Sequence, residues 1–131
     1  MTARRQLLII DDDDDIREVA QVAVEVTEDW DVRTASSGEE GIRAALAELP
    51  DAILLDVMMP DMDGPTTLQH LRAHRATAGV PVILLTAKVQ VIDRMHFEGL
   101  PISGMIAKPF DPMGLAGQIA KMLCWDLVGS K

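Results

Sequence analysis

With 131 residues the chain has room for one domain with a real core, and not comfortably for two. It carries a net charge of −9, with no cluster of Lys or Arg to offset it, which argues against a nucleic-acid partner. A single cysteine, Cys124, excludes an internal disulfide framework or a thiolate zinc site and fits a reducing compartment.

The first apolar run is residues 7–10, Leu-Leu-Ile-Ile, uninterrupted as in a strand covered on both faces. Five aspartates, Asp11 to Asp15, follow it. A short apolar run before an acidic block does not make a secretory signal, and no run approaches the roughly 20 apolar residues that span a bilayer. A cytoplasmic location without a membrane partner is expected. From Asp14 to about Glu28 the residues Ile16, Val19, Ala20, Ala23 and Val26 recur at helical spacing. Residues 30–35 read as a strand. Ser36 followed by Glu39 has the spacing of a capping box, and Ile42, Ala45, Leu46 and Leu49 form the helix face behind it.

The third apolar run, residues 52–55, ends on Asp56 and opens into the loop Val-Met-Met-Pro-Asp-Met-Asp-Gly at 57–64. Pro65 suits the first turn of the next helix, which runs to about Ala76. Residues 80–85 make a fourth strand ending at Thr86. A helix is expected over about 89–98 and a fifth strand over about 103–107. Asp111 and Pro112 then read as the cap and first turn of a last helix with Leu115, Ile119, Met122 and Leu123 on one face. Five strands alternating with five helices imply an α/β fold, a parallel sheet with helices on both sides, filling residues 1–131 as one domain with its core over about 6–124.

Ligands of open parallel sheets bind beyond the carboxyl ends of the strands. There this sequence places Asp11 and Asp12, then Asp56, then Thr86, then Lys108 followed by Pro109. Three grouped carboxylates repel by up to ~4 kcal/mol per close pair at an effective dielectric near 20. A hard divalent cation relieves that repulsion. Oxygen donors without His or Cys favour Mg²⁺, with Mn²⁺ as a substitute. A carboxylate nucleophile, a cation, an ammonium and a hydroxyl together suit phosphoryl transfer.

Four blocks carry a family resemblance: residues 8–17 (Leu-Ile-Ile-Asp-Asp-Asp-Asp-Asp-Ile-Arg), 54–64 (Leu-Leu-Asp-Val-Met-Met-Pro-Asp-Met-Asp-Gly), 84–87 (Leu-Leu-Thr-Ala) and 108–110 (Lys-Pro-Phe). In order and spacing they resemble the signature of response-regulator receiver domains of two-component signalling, the chemotaxis-regulator-like group. The resemblance implies a flavodoxin-like three-layer (βα)5 sandwich with strand order 2-1-3-4-5. It implies that Asp56 accepts a phosphoryl group from a sensor histidine kinase or a histidine phosphotransfer protein. Mg²⁺ would be held by Asp12, Asp56 and the Met58 main-chain carbonyl, with Asp11 acting largely through water. Thr86 and Lys108 would hold the phosphoryl group, Lys108–Pro109 would be a cis peptide, and the product would be a changed contact with a downstream protein rather than enzymatic turnover.

Two positions depart from the family pattern. Met105 stands where a switching Tyr or Phe is usual, and the stretch at 99–104 is about two residues longer than the usual connection. Met58 and Lys88 occupy the positions that tune hydrolysis, and Met58 cannot orient a hydrolytic water, so slow self-dephosphorylation is expected.

The plainer readings are solvation and helix capping for Asp13, Asp14 and Asp15, turn and cap roles for Asp61 and Asp63, and solvent exposure for His70 and His74. The methionines at 58, 59 and 62 read as loop packing, Cys124 as a partly buried residue, and Trp30 and Trp125 as isolated. Two other functions compete. A Mg²⁺-dependent phosphatase of the haloacid-dehalogenase type needs a second Asp two residues after its nucleophile, where Asp56 has Met58. A non-phosphorylated interaction module on the same fold would be expected to lack part of the site set. The chain reads either as a stand-alone regulator or as a receiver segment of a longer protein.

Overall fold

Five apolar runs become five parallel strands, and their alternation of side-chain direction builds two cores rather than one. The computed structural model describes residues 4–87 and 102–125. In chain order these form β1 (Gln6–Ile10), α1 (Asp14–Thr27), β2 (Asp31–Ala35), α2 (Gly38–Ala47), β3 (Ala52–Asp56), α3 (Gly64–Ala73), β4 (Val82–Thr86), β5 (Gly104–Ala107), a 3₁₀ turn (Pro112–Gly114) and α4 (Leu115–Leu123). The sheet order is β2-β1-β3-β4-β5, all parallel, as in the expected doubly wound fold. The helix expected over 89–98, Lys88 and residues 99–101 lie outside the described residues.

Successive residues of a strand face opposite sides of the sheet. Leu7, Ile9, Leu54, Ile83, Leu85 and Ile106 therefore meet α1 and α4, through Ala20, Val24, Leu115 and Ile119. Leu8, Ile10, Ile53, Leu55 and Leu84 meet the other layer, through Ala45, Leu68 and Leu71. Burying each such large side chain is worth roughly 2 kcal/mol, so both layers hold the central strands in fixed register. Among the described residues no helix is long and apolar enough to cross a membrane.

Several local expectations change. In α1 the buried stripe is Ala20, Ala23 and Val24, with Ile16 packed alongside, while Val19 is exposed and Val26 is 71% exposed. A helix advances 100° per residue, so a stripe through 16, 20 and 23–24 turns 19 and 26 outward. In α2, Ala45 is buried and Ile42 packs at the core edge, but Leu46 and Leu49 are exposed.

The capping box is shifted by one residue. Ser37, not Ser36, caps α2 by accepting the Glu40 N–H at 3.1 Å, and Glu40 reaches back to the Ser36 N–H and hydroxyl at 2.7 Å. Glu39 instead pairs with Arg43 on the solvent side. Strand β4 starts at Val82 because Pro81 has no N–H to give the ladder.

Trp30 and Trp125 are not isolated. Their rings meet edge to face with centroids 5.1 Å apart, and the Arg5 guanidinium lies 4.5 Å from a Trp125 ring centroid. Cys124 is exposed, in a left-handed turn (φ 59°) that ends α4.

Candidate functional site

The carboxyl ends of β1, β3, β4 and β5 sit side by side because the strands are in register: Ile10 opposite Leu55, Asp56 opposite Leu85, Thr86 opposite Ala107. The residues just beyond them must share one edge. Asp11 and Asp56 are buried there at 0% and 3% exposure, Thr86 is buried, and Asp12 is exposed at the rim. One carboxylate oxygen from each of Asp11, Asp12 and Asp56 can be chosen so that all three lie within 4.8 Å of one another.

Lys108 reaches this cluster from the loop after β5. Its main-chain N–H donates to the Thr86 carbonyl at 2.9 Å, which fixes the loop against β4, and its peptide bond to Pro109 is cis. The Nζ lies 3.1 Å from Asp11 Oδ2 and 3.1 Å from Asp56 Oδ1, bridging the ends of β1 and β3. The contact with Asp56 is a hydrogen bond, whereas Asp11 Oδ2 is an ion-pair partner lying off hydrogen-bond geometry.

One ammonium does not neutralise this many carboxylates. Burial, then the neighbouring Asp11 charge, pushes the Asp56 carboxyl up to about 7, with Lys108 opposing. Burial disfavours the Lys108 ammonium, but the two carboxylates 3.1 Å from it, Asp11 and Asp56, outweigh that and raise its pKa. The edge is therefore short of positive charge.

The two buried carboxylates are held by local backbone. Asp11 Oδ1 accepts the Asp13 N–H at 2.9 Å, and Asp13 in turn caps α1 through the N–H groups of Asp15 and Ile16. Asp56 Oδ1 lies 3.4 Å from the Met58 N–H donor. The loop after β3 folds back at Gly64, whose N–H donates to the Val57 carbonyl at 2.9 Å. A Cβ at Gly64 would stand 2.7 Å from Val57 Cα and 2.9 Å from the Asp56 carbonyl oxygen, so only glycine permits this close approach. Asp63 caps α3 by accepting the Thr66 N–H at 2.9 Å, as a turn and cap residue should.

Met58 projects outward at 74% exposure beside Asp56, and Met105 packs at the margin of the core shared with α2 and α3, opposite Leu84. His70 and His74 are exposed and away from this edge. The residue that the sequence reading passed over is Arg17. It stands at the end of the first signature block, and its Nη1 donates to the Asp11 main-chain carbonyl at 2.8 Å. Its spacing from Asp11 was visible in the sequence, but a contact to a backbone carbonyl leaves no mark on residue type.

The donor set fits a hard cation. Three carboxylate oxygens are gathered, one buried oxygen of Asp11 lacks a hydrogen-bond donor, and no histidine or cysteine joins the group among the described residues.

The family model for the response regulator receiver domain matches residues 7–120. The chain belongs to this family. Its receiver domains are signalling phosphoacceptors that bind Mg²⁺ at an acidic cluster. Among curated proteins, the chain is 41% identical over 106 residues to the probable transcriptional regulatory protein TcrX of Mycobacterium tuberculosis, covering 79% of this chain and 43% of that protein. It is 35% identical over 118 residues to the DNA-binding dual master transcriptional regulator RpaA of Synechocystis, covering 90% of this chain and 48% of that one. The receiver chain thus spans about half the length of the curated relatives it matches.

Among solved structures, the chemotaxis protein CheY4 of Vibrio cholerae superposes with a TM-score of 0.83 at 25% identity, covering 92% of this chain and 99% of that one. The receiver domain of a sensor histidine kinase from Pseudomonas aeruginosa, with a magnesium ion coordinated in its active-site cleft, superposes with a TM-score of 0.82 at 25% identity, covering 93% and 99%.

Proposed function

We propose that this receiver domain accepts a phosphoryl group on Asp56 from a phosphohistidine of a sensor histidine kinase or phosphotransfer protein. The observation that carries the reading is the gathering of Asp11, Asp12 and Asp56 within one 4.8 Å cluster with Lys108 3.1 Å from two of them. Asp12, Asp56 and the Met58 main-chain carbonyl would hold Mg²⁺ directly, with Asp11 assisting. The ion would supply positive charge for the transferring group and the carboxylates around it.

In the transfer, an Asp56 carboxylate oxygen bonds to phosphorus while the phosphorus–nitrogen bond breaks. The electron pair stays on the donor's imidazole nitrogen, which takes up a proton. Lys108, 3.1 Å from the attacking carboxylate, would meet a phosphoryl oxygen. Thr86, buried at the end of β4 and tied to the Lys108 backbone, would hold another. The chain's contribution is position and charge, which is most of what phosphoryl transfer requires.

A protein donor also needs a surface. Ile16, Val19, Pro109, Phe110 and Pro112 line an apolar groove running from Lys108. At net charge −9, this segment is read as contacting proteins rather than nucleic acid. The DNA-binding named for the Synechocystis relative belongs to a protein about twice the aligned length.

The direct test is incubation with acetyl phosphate and Mg²⁺ followed by intact-mass measurement. One phosphoryl adduct is expected, absent in Asp56→Asn and absent when Mg²⁺ is chelated. An adduct of equal yield in Asp56→Asn would overturn the assignment.

A further inference from the structure

We infer that Arg17 is a positioning residue for the metal-binding carboxylates: its guanidinium clamps the turn between β1 and α1 and so sets the direction in which Asp11 and Asp12 present their oxygens. This rests on the reading of the acidic cluster as a Mg²⁺ site.

Arg17 lies in the first turns of α1, where its N–H makes an early intrahelical bond to the Asp13 carbonyl at 3.0 Å. Side chains on a helix lean toward its amino end, so a long residue here reaches back over the turn that precedes it. Arg17 does so with both arms of its fork. Nη1 donates to the Asp11 main-chain carbonyl at 2.8 Å, and Nη2 pairs with the Asp14 carboxylate. The side chain is only 18% exposed, so it is enclosed along most of its length, unlike the solvated Arg43 at 66%.

The grip on Asp11 is what gives the contact consequence. The Asp11 N–H donates to the Ala35 carbonyl at 3.1 Å, and Asp11 Oδ1 accepts the Asp13 N–H at 2.9 Å. With the Asp11 carbonyl held by Arg17, the residue is tied at its amide, its side chain and its carbonyl. The Asp11 carbonyl and the Asp12 N–H share one planar peptide. Fixing that carbonyl therefore fixes the plane from which the exposed Asp12 side chain departs. Asp12 gains a defined direction although it is exposed at the rim.

A second role would be electrostatic only, a cation that tempers the acidic block. The two roles give opposite results for one substitution. Removing a nearby positive charge strengthens the attraction of Mg²⁺ to the cluster, whereas loosening the turn weakens it. Lysine separates them further, because it keeps the charge but is a point donor that cannot grip a carbonyl and a carboxylate as a fork does.

The experiment is calorimetric titration of Mg²⁺ into the full chain as wild type, Arg17→Lys and Arg17→Gln, with urea unfolding of each in chelator. Groups that hydrogen-bond to metal ligands and orient them are worth about 10- to 100-fold in affinity. Positioning predicts that both variants bind Mg²⁺ about tenfold more weakly than wild type. A Lys variant that binds like wild type with a Gln variant that binds more tightly overturns the inference in favour of charge alone. A lowered unfolding midpoint with unchanged Mg²⁺ affinity overturns it in favour of a purely structural role. If Arg17→Gln does not fold, the comparison of Arg17→Lys with wild type decides between positioning and the other two. Wild type that binds no Mg²⁺ refutes the cluster as a metal site, which is a different failure from that of Arg17.

Discussion

The two ends of the sheet are built on opposite principles. At the amino ends of the strands, Trp30, Trp125 and Arg5 form a clasp in which every contact is favourable: an edge-to-face ring pair, a cation over a ring, and the Arg4–Asp31 ion pair beside them. At the carboxyl ends, Asp11 and Asp56 are buried with one lysine between them, and the Asp56 carboxyl is forced up to about 7. One end holds the fold together. The other holds chemistry in readiness at a cost in stability, which is where the two ends can be pulled apart by experiment.

The largest effect is expected at the acidic end. Lys108→Ala should reduce phosphorylation by acetyl phosphate by at least about tenfold, measured by intact mass, because Asp56 loses the ammonium that hydrogen-bonds to it. The same change should leave the aromatic clasp intact, visible as unchanged near-ultraviolet circular dichroism.

At the opposite end, Trp125→Ala should cost about 2–3 kcal/mol in urea unfolding through lost ring packing on Trp30 and Arg5, without altering Mg²⁺ affinity. A change in Mg²⁺ affinity of more than a fewfold would mean that the ends are coupled.

A smaller effect reverses the usual sign. In chelator, Asp56→Asn should stabilise the protein by about 1–2 kcal/mol at pH 8. The folded protein keeps the Asp56 proton up to about pH 7, while the unfolded chain sheds it near 3.8. The cost of Asp56 thus grows as pH rises from about 4 to about 7 and is complete above that. The advantage of Asn should accordingly vanish at pH 4, and an advantage independent of pH would contradict the burial argument.

The smallest effect concerns lifetime. Met58 is exposed next to Asp56 and can neither donate nor accept a strong hydrogen bond to a water there. Met58→Asn should speed loss of the phosphoryl group a fewfold, followed by mass after removal of the donor.

What the sequence made legible follows the same division. The site end was readable because apolar runs fix where strands stop, and a parallel sheet brings the next residues to one edge; Asp11, Asp12, Asp56, Thr86 and Lys108 needed no side-chain detail to be placed together. The clasp was not readable, because Trp30 and Trp125 are separated by most of the chain and no short-range pattern links them. The exact stripe of α1 was ambiguous for another reason. Val19 and Val26 are as apolar as the buried Val24, and only the packing of α1 against the sheet and α4 decides which of them faces inward. The cap of α2 slipped by one because Ser36 and Ser37 are equally good caps, each with a Glu three residues on, and Glu40 alone turned back to close the box.

Gly64 carries a consequence for how this surface can change. The loop after β3 owes its shape to main chain packed on main chain, through Gly64 against Val57 and Asp56 and a left-handed turn at Asp61 (φ 67°). Met58 and Pro60 project from that frame into solvent. Natural variation at these rim positions is thus cheap for the architecture. The rim can diverge between descendants of the same scaffold while Asp56 stays where it is.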